Sequence, residues 1–129
     1  MDDSTPACPM PPREFHAREG RLDLCLRIFP QGRDVHAILT GGAGHAGAVA
    51  LAAPGEAPLV RERPAHREGA LAALVAERLA AALGCAVSVS CGIHFEAITR
   101  GEIAAVEKLA CRLVEESLSS LPTRSEKAC

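Results

Sequence analysis

The sequence predicts an α+β fold: a single two-layer domain whose mainly antiparallel sheet of about five strands carries two helices on one face, in the order ββββαβα. Three observations carry that prediction. Residues 21–28 alternate strictly between apolar and polar side chains, as a half-buried strand does. Residues 67–83 repeat apolar side chains at the helical period and stop at Gly84. Thr99-Arg100-Gly101-Glu102 reads as a capping box that opens a second helix. With 129 residues the chain is one domain's worth, long enough to bury a core without disulfide staples.

In chain order, residues 1–18 hold Pro6, Pro9, Pro11 and Pro12 and are expected to form a disordered tail, leaving the domain at 19–121 and a loose C-terminal tail at 122–129. The first strand places Leu22, Leu24, Leu26 and Ile28 on one face and should stop at Pro30. Gln31-Gly32-Arg33-Asp34 then turns the chain into a second strand, Val35 to Thr40, as a hairpin. Residues 46–53 are small and continuously apolar, which predicts a strand buried on both faces or one closely approached by another backbone. Leu59 to Arg63 is a charged edge strand. The first helix should bury Leu71, Leu74, Val75, Leu79, Ala82 and Leu83. Residues 85–91 alternate as a fifth strand, and the last helix carries a stripe from Ile103 to Leu118. The simplest arrangement is an antiparallel meander, with a βαβ unit joining the fourth and fifth strands.

Composition excludes several functions. Lys and Arg total 14 against 16 acidic residues, so at a net charge of -2 there is no electrostatic footprint for nucleic acid. Aromatics are confined to Phe15, Phe29 and Phe95, too few for a base-stacking platform. The longest mostly apolar stretch, residues 70–83, is too short to span a bilayer. Asp2 and Asp3 stand where a secretory signal needs basic residues, so a cytoplasmic location with reduced cysteines is expected. Cys25, Cys85, Cys91 and Cys111 lack flanking basic groups and read as buried structural thiols.

The residues able to carry chemistry fall in three places. Gly41, Gly42, Gly44 and Gly47 surround His45 in a loop whose amides could form an anion nest, although a strand follows it where a dinucleotide fingerprint needs a helix. His66 and Arg67 precede the first helix. His94 and Glu96 follow the fifth strand, where a strand emerging through glycine commonly presents site residues. If strand pairing gathers His45, His66 and His94 at one end of the sheet, they could bind a ligand, handle protons or ligate a divalent metal; spacing alone does not choose. His36, in mid-strand, reads as structural.

Three ordered motifs, residues 41–50, residues 64–68 and Gly92-Ile93-His94, together resemble the small D subunit of gallate decarboxylase, a family of prenylated-flavin chaperones whose fold is similar to proteasome assembly chaperone 4. The resemblance spans roughly residues 20–118. It implies a non-catalytic accessory protein that binds prenylated FMN and delivers or matures it for the apo-enzyme of a UbiD-type arylic acid decarboxylase, in company with a flavin prenyltransferase. Carried over by position, it makes Gly41, Gly42, Gly44, His45, Gly47, His66, Arg67, His94 and Glu96 cofactor-binding residues. Where the family pattern reads Gly-His-Lys this chain has Ala65-His66-Arg67, and where it reads Asp-Asn this chain has Glu96-Ala97. Two other readings compete with it: a protein assembly chaperone without cofactor, and a small metal-dependent enzyme using His45, His66 and His94. An exposed sheet edge would suit a homodimer.

Overall fold

A computed structural model describes residues 11–121. Within them the order is β1 (Arg13–Glu19), β2 (Leu22–Gln31), β3 (Asp34–Gly42), β4 (Ala48–Ala52), β5 (Leu59–Glu62), α1 (Gly69–Leu83), β6 (Val87–His94) and α2 (Arg100–Ser120). The strands form one sheet in the order β1-β2-β3-β6-β4-β5. The α+β class and the two helices on one face are as expected. The sheet, however, has six strands and is mixed, because β6 pairs in parallel with β3 and antiparallel with β4.

The additional strand corrects the tail boundary. Residues 13–18, assigned above to a disordered tail, form β1, with Phe15 and Ala17 toward the core and Glu14 and His16 opposite Arg27 and Cys25. The prolines end at Pro12, one residue before pairing starts. The remainder of the expected tail, residues 1–10, and the expected C-terminal tail at 122–129 lie outside the described residues. Both opening hairpins turn on the same dipeptide: Gly20-Arg21 and Gly32-Arg33, with glycine φ of 59° and 62°. Glycine at the first central position is what a two-residue hairpin of the right twist requires. β2 also runs through Pro30 to Gln31. In antiparallel alternation Pro30, next to the closing pair Gln31–Asp34, turns its nitrogen away from β3, and on that side β1 pairs no further than Ile28.

The helices cover one face of the sheet. Leu24, Leu26 and Ile28 of β2, Ala37 and Leu39 of β3, and Val87, Val89 and Cys91 of β6 are buried beneath them. β4, expected to be buried on both faces, is buried on this one alone: Ala48, Ala50 and Ala52 are covered, while Val49 and Leu51 are about half exposed, at 47% and 49%. Nothing among the described residues covers the opposite face. Small side chains under α1 let that helix seat its own alanines, Ala72, Ala76 and Ala80, against the sheet. The buried stripe of α1 is therefore rotated from the expected one, and Leu71 and Leu74 are left partly exposed between the helices.

α1 ends on Gly84 at φ 71°, and α2 begins with the reciprocal Thr99–Glu102 capping box. Arg21 donates from two nitrogens to the Glu102 carboxylate and to the Glu96 carbonyl, and its guanidinium lies 6.0 Å from the Phe95 ring centroid. Arg21 and the cap hold the Glu102 carboxyl far below its ordinary range, at about 2. One contact thus ties the β1–β2 turn to the start of α2. No helix among the described residues is long and apolar enough to cross a membrane.

Candidate functional site

Parallel pairing of β3 with β6 brings Gly42 beside His94, so the loop leaving β3 and the loop leaving β6 emerge at the same end of the sheet. The β3–β4 loop then folds back over β6. The Ala43 amide donates to the His94 carbonyl and the Gly47 amide to the Cys91 carbonyl, each at 3.0 Å. A side chain at Gly92 would collide with the His45 carbonyl, one at Gly42 (φ 62°) with the His94 carbonyl, and one at Gly47 with the Glu68 carboxylate. These glycines admit close approach of one chain segment to another.

The result is a gathering of three imidazoles. The His45 ring centroid is 4.8 Å from that of His66 and 6.3 Å from that of His94, both edge-on. They border a cleft of about 500 Å³ between the end of the sheet, the start of α1 and the first turns of α2. Arg67 and Glu107 add charge to its wall; Leu71, Ile93, Ile98, Ile103 and Val106 make it apolar.

Glu68 fixes His45, and the sequence reading passed over it. Its carboxylate accepts from His45 Nε2 at 2.7 Å, from the Arg67 amide at 3.0 Å and from the Ile93 amide at 3.3 Å, with its side chain 12% exposed. Burial pushes the Glu68 carboxyl up, but the three hydrogen bonds outweigh it and hold the group below its ordinary value. A signal was present, for Glu68 closes the same short motif, residues 64–68, that supplies His66 and Arg67. Beneath it, burial first and the Glu68 charge second push the Cys91 thiol up to about 12, which makes it an inert core group. Cys25 and Cys85 are also buried, while Cys111 is partly exposed on α2.

Of the sequence-predicted residues, His45, His66, Arg67 and His94 line the cleft together. Gly41, Gly42, Gly44 and Gly47 do not line it; Gly41, Gly42 and Gly47 allow close approaches of neighbouring segments, Gly44 has room for a side chain, and two of the loop amides, those of Ala43 and Gly47, are spent on β6. Glu96 also stays outside, 92% exposed with a 3.3 Å contact to His94 Nε2. His36 bonds Ser88 across the β3–β6 pair at 2.7 Å, a structural contact. The three imidazoles do not present a converged ligand set either: His45 Nε2 is turned to Glu68 and His66 Nδ1 to the Pro64 carbonyl at 2.8 Å. Among the described residues, three donors lying within 4.8 Å of one another are found instead at Glu14, His16 and Cys25, on the open face of the sheet.

Two residues bounding the site hold left-handed backbone without being glycine: Ala65 at φ 64° and Ala97 at φ 51°. The resemblance read from the sequence expects Gly and Asn at these two positions, residue types that tolerate that conformation.

The cleft, apolar inside with a few convergent polar groups, has the form that small-molecule sites take, and it is set in a small α+β domain. Residues 18–122 match the prenylated flavin chaperone LpdD-like domain, and the chain belongs to that family. No curated protein matches it. Among solved structures, a chain from a chaperone complex for yeast 20S proteasome assembly is similar at 11% identity, over 84% of this chain and 99% of that one, with a TM-score of 0.49.

Proposed function

We propose that the protein binds prenylated FMN in the histidine cleft and hands it to the apo-enzyme of a UbiD-type arylic acid decarboxylase, receiving it from a flavin prenyltransferase. The observation that carries this reading is the convergence of His45, His66 and His94, from three separate segments, on an apolar-walled cleft in a chain of the prenylated flavin chaperone family. The donor set suits the ligand. Arg67 and the imidazoles offer cationic or hydrogen-bonding groups to a phosphate monoester, and Leu71, Ile93 and Ile103 offer an apolar wall to a ring system. The flavin would bring the redox chemistry; the protein's own residues bind and orient it. His45 is held against Glu68 before any ligand arrives, which lowers the ordering cost of binding.

Anaerobic gel filtration of the protein with reduced prenylated FMN tests this reading. Co-elution is expected, with loss in a His45→Ala, His66→Ala, His94→Ala triple variant that keeps its circular dichroism; no co-elution with the natural sequence overturns it. The reading includes a cytoplasmic setting and a homodimer formed along the exposed β5 edge, where Leu59 is 72% and Val60 44% exposed. A second reading, an assembly chaperone that holds a partner protein without cofactor, is favoured by the bare apolar side chains of Val49, Leu51 and Leu59 on the open face. The triple variant separates the two, because partner binding on that face would survive it.

A further inference from the structure

We propose that Glu14, His16 and Cys25 form a second site, a ligand set for a divalent transition-metal ion of the zinc type, on the face of the sheet opposite the helices. The β1–β2 register sets His16 directly across from Cys25, and Glu14 lies two residues back on the same face. His16 Nε2 is 2.8 Å from Glu14 Oε2 and 3.9 Å from Cys25 Sγ, and the three donor atoms all lie within 4.8 Å of one another. An imidazole, a thiol and a carboxylate oxygen are the donors zinc takes, at bonds of about 2.0–2.3 Å, so modest side-chain rotations close the set. Arg27 Nε donates to the other carboxylate oxygen, Glu14 Oε1, at 2.7 Å and leaves Oε2 turned toward His16. That contact orients the ligand as second-sphere partners of metal sites do.

Access and chemistry agree with this assignment. Cys25 is buried at the floor while Glu14 and His16 are exposed, so an ion enters from solvent and meets the sulfur last. Metal uptake replaces the S–H bond by a metal–sulfur bond and releases that proton to solvent. Three protein ligands leave a fourth position for water, as in accessible zinc sites.

Cobalt(II) is the probe, added to the reduced, metal-free full chain. We expect saturation at about one equivalent, with a thiolate-to-cobalt charge-transfer band in the near ultraviolet that zinc abolishes by displacement. Cys25→Ser should remove the band, and His16→Gln and Glu14→Gln should each weaken binding by about tenfold or more. Cys111→Ser, on α2, should change nothing. The absence of a band, a band that survives Cys25→Ser, or one lost equally in Cys111→Ser overturns the assignment. If Cys25→Ser unfolds by circular dichroism, the two exposed variants decide: unchanged affinity in both overturns it as well.

Discussion

The molecule treats its histidines in two ways. At the end of the sheet His45, His66 and His94 bring their rings within 4.8 and 6.3 Å, yet a carboxylate and a carbonyl claim ring nitrogens of the first two. On the open face His16 sits with its Nε2 between a carboxylate and a sulfur. The first arrangement presents ring faces and edges to a cleft; the second gathers an imidazole, a carboxylate and a thiol whose ligand atoms lie within 4.8 Å of one another. The proposed metal site therefore rests on the closeness of unlike donor atoms and not on the crowding of imidazoles.

The largest expected effect comes from breaking the first region alone. Gly92→Ala forces a methyl group into the His45 carbonyl and should cost about 3 kcal/mol in urea unfolding. Below its lowered midpoint the variant should lose flavin binding and keep cobalt binding; equal loss of both would erase the distinction between the regions. Glu68→Ala should cost about 2 kcal/mol at pH 7, since it strands His45 and two amides. Because the folded state lowers the Glu68 pKa, its contribution is present above the ordinary carboxylate value and fades as pH falls through the folded value. The gap between natural and variant proteins should therefore narrow below about pH 4.5, and a gap independent of pH would show that the charge is not what matters.

Ala65→Gly and Ala97→Gly sharpen the contrast in the other sense. Relief of left-handed alanine should raise stability by about 1 kcal/mol each, less the entropy glycine gains on unfolding, read as a higher urea midpoint. The smallest effect belongs to the open face. Arg27→Gln loosens the contact that orients the Glu14 carboxylate and should weaken cobalt binding by about threefold.

Local rules made much of this legible. The alternation in β2, the Thr99–Glu102 cap and the glycine stop of α1 all lie within a few residues of one another in sequence, and each is present as read. β1 was hidden because only Phe15 and Ala17 of its seven residues are apolar and prolines precede it, although Gly20-Arg21 repeats the turn recognised at Gly32-Arg33. The two-sided burial expected for β4 failed because alanine is equally at home under a helix and in a crowded strand; only the sheet's layering separates Ala50 from Leu51. At the site, the histidines were found because each stands at the end of an element. Glu68 was passed over because an acid before a helix reads as a dipole partner, and the parallel β3–β6 register that aims it at His45 joins residues some fifty positions apart.

The central place of β6 also orders events during synthesis. β1, β2 and β3 can pair as soon as they leave the ribosome, and so can β4 with β5, but the two halves share no strand until residues 87–94 slide between them. A nascent chain stopped before that point carries two unjoined ribbons, each showing raw edges, and no place to hold a ligand. Assembly of the histidine cleft is therefore a late step, and it waits on residues 87–94 to join the two ribbons.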